Sequence, residues 1–231
     1  MKVLFNADDF GLTKGVTDGI IEVHRNGVVG AATMIMNGHA VNYAVNQALK
    51  NPPLRLGVHL VLTSGRPICS HVPGLVDQDG YFRYKNTFRE MEPPHVEEVE
   101  KEWRAQIEAF LETGLTLHHL DSHHHIHGWE PLKEIVVKLA RDYNVPVRYM
   151  ESLKEFPDIL LTESLWSGFY GKGVNANIFD KLKGLNAASV EVMTHPAYID
   201  DLQSMSSYLD KREEERKILC EISPPDWAEM M

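Results

Sequence analysis

The sequence predicts an α/β fold built on a parallel sheet, and three observations support this prediction. Short apolar segments alternate with segments of helical periodicity along all 231 residues, as in strands joined by helical crossovers. Polar clusters follow several of the apolar segments, which is where parallel sheets place their active sites. The chain shows neither an internal repeat nor a linker, so we expect one domain over residues 1–231. An open doubly wound sheet and a closed (β/α) barrel both fit this pattern.

The first half of the chain supplies three of the predicted strands. An apolar run at 2–5 is followed at once by Asn6, Asp8 and Asp9. Thr13 could cap a helix that ends before Gly27, because threonine favours helix starts and glycine favours helix ends. The predicted strands are 2–5, 31–36 and 56–62, and the predicted helices are 13–26, 40–49 and 96–110.

The second half continues the alternation. A fourth strand leads into a histidine-rich segment that begins at His118. Residues 63–94 differ from the rest, because they are rich in glycine, proline and aromatic residues without periodicity. Such a segment is typical of a lid or binding loop, although a plain surface excursion also fits. The remaining predicted strands are 145–150, 159–165 and 190–193, and the remaining helices are 132–143, 178–185 and 210–219.

Charge and composition exclude several classes of protein. The chain has 33 acidic and 23 basic residues, a net charge of −10, which argues against binding to nucleic acids and to anionic membranes. No apolar stretch approaches the roughly 18 residues of a membrane span. The first ten residues become acidic too early for a signal peptide. Cys69 and Cys220 are too few for a disulfide framework, so we expect free thiols in a reducing cytoplasm.

Histidine is the unusual component of the chain. There are 12 histidines, and six of them lie between His118 and His127. Neutral imidazoles are common ligands of zinc, manganese and iron. Alternate side chains of a strand share a face, so His119, Asp121 and His123 could point the same way. The cluster as a whole predicts a metal site, whereas any single histidine in it could instead form hydrogen bonds in a crowded loop.

Two adjacent acids, Asp8 and Asp9, follow the first strand. Like charges close together raise the pKa of one carboxyl, and a divalent cation would relieve that cost while the other carboxylate acts as a base on water. A helix cap beside a solvated acid is the alternative. His59 lies within an apolar strand, where a histidine is often only part of the core. An aspartate and two histidines from three strand ends would nevertheless form a three-ligand site with open positions.

Two further side chains are candidates for catalysis. His195 follows a predicted strand and precedes Pro196, which restricts the backbone at that point. Opposite a metal, this histidine could protonate a leaving group, although a loop histidine without a role is equally consistent with its spacing. Arg148 could orient a carboxylate through a bidentate ion pair.

Five segments form an ordered set of motifs: NADDFGL at 6–12, GVHL at 57–60, HLDSHHHIH at 119–127, PVR at 146–148 and HP at 195–196. Taken together, they resemble the YdjC-like carbohydrate deacetylase family, which includes the chitooligosaccharide deacetylases. The similarity runs in order from residue 2 to about residue 220. It implies a (β/α) barrel-like fold, a homodimer, and metal-dependent removal of an acetyl group from an N-acetylated sugar.

The resemblance also implies roles for particular residues. Asp9, His59 and His123 would bind one divalent metal ion, and Asp8 would act as the catalytic base. His195 would be the acid, and Arg148 the partner of the base. Members of the family are commonly assigned magnesium, whereas two histidine ligands favour zinc or a similar ion. Many members continue into a terminal strand after the last helix, so residues 222–231 predict an incomplete or irregular last barrel element.

We therefore expect a hydrolase that cleaves the amide of an acetylated amino sugar. In that case Tyr81, Phe82 and Tyr84 of the loop at 63–94 could stack on a sugar ring, or could instead serve in packing or dimerisation. A metal-dependent phosphoesterase is the first alternative, but its motifs would need more lysine and arginine for the phosphate. A non-catalytic sugar-binding or metal-storage protein is the second alternative, and it would need the metal ligands but not Asp8.

Overall fold

The computed structural model describes residues 1–200, 206 and 208–231. Its sheet has the strand order β4-β3-β2-β1-β6-β5, with β7 beside β1, and all the pairings are parallel. Helices cover the sheet, and one continuous core fills the space between them. The strands are β1 (Lys2–Phe10), β2 (Val29–Met34), β3 (Arg55–Leu60), β4 (Leu117–Ser122), β5 (Ser164–Trp166), β6 (Ser189–Thr194) and β7 (Glu229–Met230). The helices are α1 (Lys14–Asn26), α2 (Val41–Leu49), α3 (Val96–Leu111), α4 (Lys133–Tyr143), α5 (Ile178–Leu182) and α6 (Asp210–Glu221).

The sheet curls into an open, incomplete barrel, which confirms the barrel-like prediction. Beyond β4 it continues through two isolated bridges at Val147 and Leu160 instead of regular strands. The Arg148 N–H donates to the Leu120 carbonyl at 2.9 Å, and the Val147 N–H donates to the Ile159 carbonyl at 2.7 Å. The predicted strand at 145–150 is therefore wrong as a regular strand, because Pro146 has no N–H to donate to a ladder. The predicted strand at 159–165 is also wrong in its bounds, since only 164–166 forms regular ladder pairs.

The last barrel element is a strand of two residues. The Glu229 N–H donates to the Met1 carbonyl at 3.0 Å, and the Met231 N–H donates to the Val3 carbonyl at 2.9 Å. This pairing uses the beginning of β1, before its pairing with β2 starts at Phe5. The irregular last element expected from the sequence is thus present as β7, which completes the hydrogen bonding of the first strand.

Helix α1 illustrates how closely local sequence determines its element. The Thr13 hydroxyl accepts a hydrogen bond from the Val16 N–H at 3.1 Å, which satisfies one of the free donors of the first turn. The helix ends before Gly27, where an added Cβ would lie 2.1 Å from the Leu219 carbonyl oxygen. Val16 and Ile20 lie on the buried face. Both predicted ends of this helix are confirmed.

The loop at 63–94 packs on the barrel through its aromatic residues. Phe82 and Tyr84 are buried, and the Tyr84 ring meets Trp129 edge-on at 6.0 Å. These two side chains are therefore core residues, so of the two roles left open by the sequence, packing applies to them. Tyr81 is exposed, but its ring is covered by the Arg66 guanidinium at 4.1 Å and lies outside the cavity described below.

No helix in the described ranges combines the length and the apolar character needed to cross a bilayer. Both cysteines are free thiols, as predicted.

Candidate active site

A cavity of about 550 Å³ opens at the carboxyl ends of the strands. This volume lies within the range of about 300–1,000 Å³ that is usual for small-molecule sites. The walls include Asp8, Asp9, His59, His123 and His195, five of the six residues predicted from the sequence. Arg148 lies fully buried behind the wall. The other lining residues are Leu12, Thr63, Ser64, Asn86, Ser122, His124, His125, Ser167, Tyr170, Met193, Ser206, Tyr208 and Arg212.

The two adjacent acids reach the cavity through an irregularity in β1. Side chains of neighbouring strand residues normally point to opposite faces, and the strand predicted at 2–5 ends before both acids. Instead β1 continues to Phe10, and its register with β2 shifts between Ala7 and Phe10. Asp9 adopts a left-handed backbone with φ of 71°, which is costly for a residue other than glycine. This bulge, and not a strand end, turns both carboxylates towards the cavity.

Arg148 binds three buried carboxylates at once. Its two terminal nitrogens contact both oxygens of Asp8, at 2.6 and 2.8 Å. One of them also lies 2.7 Å from Asp121 and 2.7 Å from Glu191. Burial opposes ionisation of Asp8, but the Arg148 guanidinium holds the pKa of Asp8 well below its usual range. Burial raises the pKa of Glu191 to about 7, because Arg148 offsets only part of its desolvation. Asp8 is therefore a fixed, ionised carboxylate.

His59 is oriented by a buried carboxylate behind it. Its Nδ1 lies 2.7 Å from Asp121 Oδ1, and its Nε2 lies 3.5 Å from Asp9 Oδ1. Burial opposes protonation, but the carboxylates of Asp121, Asp8 and Asp9 raise the pKa of His59 to about 9. The site thus favours a cation at this imidazole.

His123 begins the turn that follows β4. Its Nδ1 lies 2.7 Å from the Thr63 hydroxyl, which leaves Nε2 available. The ring meets His59 edge-on, with centroids 5.9 Å apart. Burial lowers the pKa of His123 to about 3, so this imidazole is neutral at neutral pH. The next two residues, His124 and His125, both have a φ of 56°, so the chain turns sharply at the cavity wall.

Other histidines of the cluster have hydrogen-bonding roles. His119 Nε2 lies 3.1 Å from the Asn6 side-chain oxygen, and His127 Nδ1 lies 2.6 Å from the Ser122 hydroxyl. His119 and Asp121 both contact Asn6, so these two alternate residues of β4 share a face, as expected. The turn after Ser122 breaks this alternation before His123.

His195 lies beside Asp8 at the wall of the cavity. Its Nε2 is 3.8 Å from Asp8 Oδ2, and its backbone N–H donates to the Glu215 carboxylate. Burial lowers the pKa of His195 to about 4 and raises that of Glu215 to about 8. His195 is therefore a neutral imidazole beside an ionised aspartate.

Helix α6 supplies two buried side chains to the site. Arg212 Nη2 contacts Asp9 Oδ2 at 2.6 Å, and Glu215 lies one turn further along the helix. Although burial opposes ionisation of Asp9, Arg212 and His59 hold the pKa of Asp9 below its usual range. Arg212 binds only Oδ2, so Asp9 Oδ1 makes no contact with this arginine. Asp9 Oδ1 is buried and has no hydrogen-bond partner in the described part of the chain.

Two buried groups have ligand atoms close enough together to hold a metal ion. The first is Asp8, His59 and Asp121, whose ligand atoms lie within 4.8 Å of one another, and the second is His119, Asp121 and Glu191. In both groups the carboxylates already bind Arg148. By contrast, Asp9 Oδ1 and His59 Nε2 face each other with no further partner for the carboxylate oxygen. A carboxylate behind a histidine ligand is the usual support of a metal site, so these residues fit a cation.

Comparison with known proteins identifies the family. The family model described as YdjC-like protein matches residues 2–229. The chain belongs to the YdjC-like family. Among relatives in this family, one from Oceanobacillus iheyensis, named carbohydrate deacetylase, is 56% identical over 99% of this chain and 100% of its own. A carbohydrate deacetylase of Halalkalibacterium halodurans is 41% identical over 96% of both chains.

A solved structure has the same fold as this chain. It comes from Enterococcus faecalis V583 and is named as a candidate for cellobiose-phosphate cleavage. Its TM-score is 0.87 at 36% sequence identity, with 95% of this chain and 90% of that chain covered.

Four residues of the site were not recognised in the sequence: Arg212, Glu215, Tyr170 and Tyr208. Arg212 and Glu215 lie in helix α6, whose sequence is typical of a solvent-exposed charged helix. Nothing in the local sequence shows which of its charged side chains are buried. A fifth, Glu191, carried a usable signal, because it is an acid flanked by valines inside an apolar strand. Such a residue needs a buried partner, and Arg148 provides it.

Proposed function

We propose that this protein removes the acetyl group of an N-acetylated sugar by metal-dependent hydrolysis. The observation that carries the proposal is the grouping of Asp9 and His59, with a free buried oxygen on Asp9, beside Asp8 and His195 at one cavity. The relatives named carbohydrate deacetylase support the substrate class.

Asp9, His59 and His123 would hold the ion. Asp9 offers Oδ1, and each histidine offers Nε2, because Asp121 and Thr63 occupy the two Nδ1 atoms. When bound, a divalent ion would polarise the acetyl carbonyl and lower the pKa of a water molecule. Two neutral imidazoles and one carboxylate suit zinc or a similar transition ion better than magnesium.

Asp8 would take the proton of the attacking water. Its bidentate contact with Arg148 orients the carboxylate and keeps it ionised. A carboxylate with a lowered pKa is a weak base, so it requires water that has itself been made more acidic. As the water oxygen bonds to the acetyl carbon, its proton passes to Asp8.

His195 would deliver a proton to the leaving nitrogen. Its pKa is lowered to about 4 by burial, so it does not hold a spare proton at neutral pH. Its Nε2 is 3.8 Å from Asp8 Oδ2, and a small movement would let the proton taken from water pass to the imidazole and on to the amide nitrogen. The carbon–nitrogen bond then breaks, and acetate and a free amino sugar leave.

An acetate-release assay over a panel of N-acetylated sugars tests the proposal. We expect acetate release that disappears after chelation and returns when zinc or magnesium is restored. Activity that survives complete removal of metal would contradict metal dependence. No acetate release from any sugar of the panel, with the metal content verified, would contradict the reaction.

A phosphoesterase reaction is the main alternative. It would need cations free to bind phosphate, yet Arg212 in the cavity wall already binds Asp9, and Arg148 binds Asp8. Turnover of p-nitrophenyl phosphate exceeding that of acetylated chitobiose would favour this alternative. The other alternative is a non-catalytic sugar-binding protein, which would bind acetylated sugars without releasing acetate.

We further propose a chitooligosaccharide-like substrate and a cytoplasmic homodimer. The two free thiols fit a reducing compartment, and the family resemblance supports the substrate and the dimer. Comparing acetate release from acetylated glucosamine, its dimer and its trimer tests the first point. Light scattering after gel filtration, with a mass near twice 26.2 kDa expected, tests the dimer.

A further inference from the structure

One wall of the cavity carries two stacked tyrosines, Tyr170 and Tyr208, here called the tyrosine pair. Their ring centroids lie 4.0 Å apart, and the planes differ by 18°. Both residues line the cavity, and Tyr170 is 47% exposed. An exposed aromatic ring supported by a second ring presents a flat apolar surface to whatever enters the cavity.

The tyrosine pair is held in place by polar contacts at its rear. The Tyr208 hydroxyl donates to Glu215 at 2.6 Å and accepts from the Gly171 N–H at 3.0 Å. Gly171 directly follows Tyr170, so the second contact ties the backbone beside Tyr170 to Tyr208. Glu215 also accepts from the His195 backbone. One buried side chain, Glu215, therefore positions both the tyrosine pair and the proposed acid.

The position of the tyrosine pair relative to His195 indicates what it binds. The His195 ring is edge-on to Tyr170 at 5.6 Å and to Tyr208 at 5.9 Å. If His195 protonates the leaving nitrogen, the sugar carbon bonded to that nitrogen must lie beside His195. The ring of that sugar then falls against the neighbouring aromatic wall. Pyranose rings carry C–H groups on their faces, and these apolar faces complement an aromatic surface.

We propose that Tyr170 binds the sugar ring that bears the acetamido group, by stacking against its C–H face with Tyr208 behind. The inference rests on the proposed deacetylation and adds the subsite that recognises the sugar itself. Tyr170 is thus a specificity-determining residue, because it distinguishes a pyranose from a simple acetamide.

Three variants test this subsite in the metal-loaded, full-length protein: Tyr170→Ala, Tyr170→Phe and Tyr81→Ala. Tyr81 is a matched control, since it is 46% exposed and lies outside the cavity. The probes are N,N′-diacetylchitobiose for acetate release and glucosamine for binding by calorimetry and saturation-transfer NMR. Unfolding midpoints verify that each variant is folded.

We expect Tyr170→Ala to raise KM and the Kd of glucosamine about tenfold, with a smaller change in kcat. Tyr170→Phe should stay within about twofold of the parent, because it keeps the ring, and Tyr81→Ala should match the parent. In the parent protein, saturation should transfer mainly to protons on one face of the sugar, and this pattern should vanish in Tyr170→Ala.

The results separate the subsite from the reaction. Sugar binding that is unchanged in a folded Tyr170→Ala variant overturns the subsite, even if acetate release is normal. Tyr170-dependent sugar binding without acetate release supports the subsite and contradicts the deacetylation. A parent protein that neither binds glucosamine nor releases acetate overturns both.

Discussion

Replacing Arg148 with methionine would leave a cluster of buried carboxylates without its cation. Asp8, Asp121 and Glu191 all lie within 2.9 Å of the guanidinium, and the arginine is fully buried. Removing one partner of a buried ion pair typically costs about 3–5 kcal/mol, because the remaining charge stays out of water. For a chain of this length each kcal/mol lowers the melting temperature by about 2–4 °C. We therefore expect Arg148→Met to melt about 6–20 °C below the parent.

Two control variants make the measurement specific. Arg104→Met removes another ion-paired arginine, but this one lies on the surface beside Glu100 and Asp142 with its side chain 30% exposed. Surface pairs contribute about 0–1 kcal/mol, so this variant should melt within about 4 °C of the parent. Glu191→Gln removes a carboxylate whose pKa burial raises to about 7, and this variant should also lower the melting temperature only slightly. Urea unfolding of the apoprotein gives the free energies, and an Arg148→Met variant as stable as Arg104→Met would refute the reasoning.

Two further predictions concern a backbone contact and the pH dependence of metal binding. A Cβ on Gly19 would lie 2.6 Å from Ala197 Cα, so Gly19→Ala should cost about 1–3 kcal/mol in urea unfolding and lower kcat by displacing the segment after His195. Gly184→Ala, with its nearest atom at 3.6 Å, should change neither, and equal effects of the two variants would count against this packing. Metal must displace the proton from His59, whose pKa the surrounding carboxylates raise to about 9, so affinity should rise with pH up to that value. Calorimetric titrations that give the same affinity from pH 5 to 8 would argue against histidine ligation.

The parts of the fold that could be predicted are those determined by local sequence. The two ends of α1, at Thr13 and Gly27, could be predicted because capping depends on the few residues around each end. The strand predicted at 145–150 is absent as a regular strand because Pro146, within its apolar sequence, cannot donate to a ladder. The bulge at Asp8 and Asp9 could not be predicted from the sequence, since it depends on how β1 pairs with β2.

The candidate site divides in the same way. The motifs at strand ends led to Asp8, Asp9, His59, His123 and His195, because parallel strands bring their carboxyl ends to one edge of the sheet. Arg212 and Glu215 act from a charged helix about 200 residues after the first motif. Their burial follows from the packing of α6 beside the site, which periodicity in so charged a segment does not reveal. Within the histidine cluster, His119 and His127 form hydrogen bonds to Asn6 and Ser122, which is the alternative that the sequence left open for any single member.

In the proposed mechanism Asp9 binds the metal while Asp8 acts on the water. The most direct test measures bound metal and acetate release together for Asp8→Asn and Asp9→Asn. Asp8→Asn should keep the ion, since it leaves Asp9 Oδ1 and His59 Nε2 in place, and should slow acetate release by about 10²–10⁴-fold. Asp9→Asn should instead lose the ion. Loss of metal from Asp8→Asn together with full occupancy of Asp9→Asn would reverse the two roles, and near-normal turnover by Asp8→Asn would contradict its role as the base.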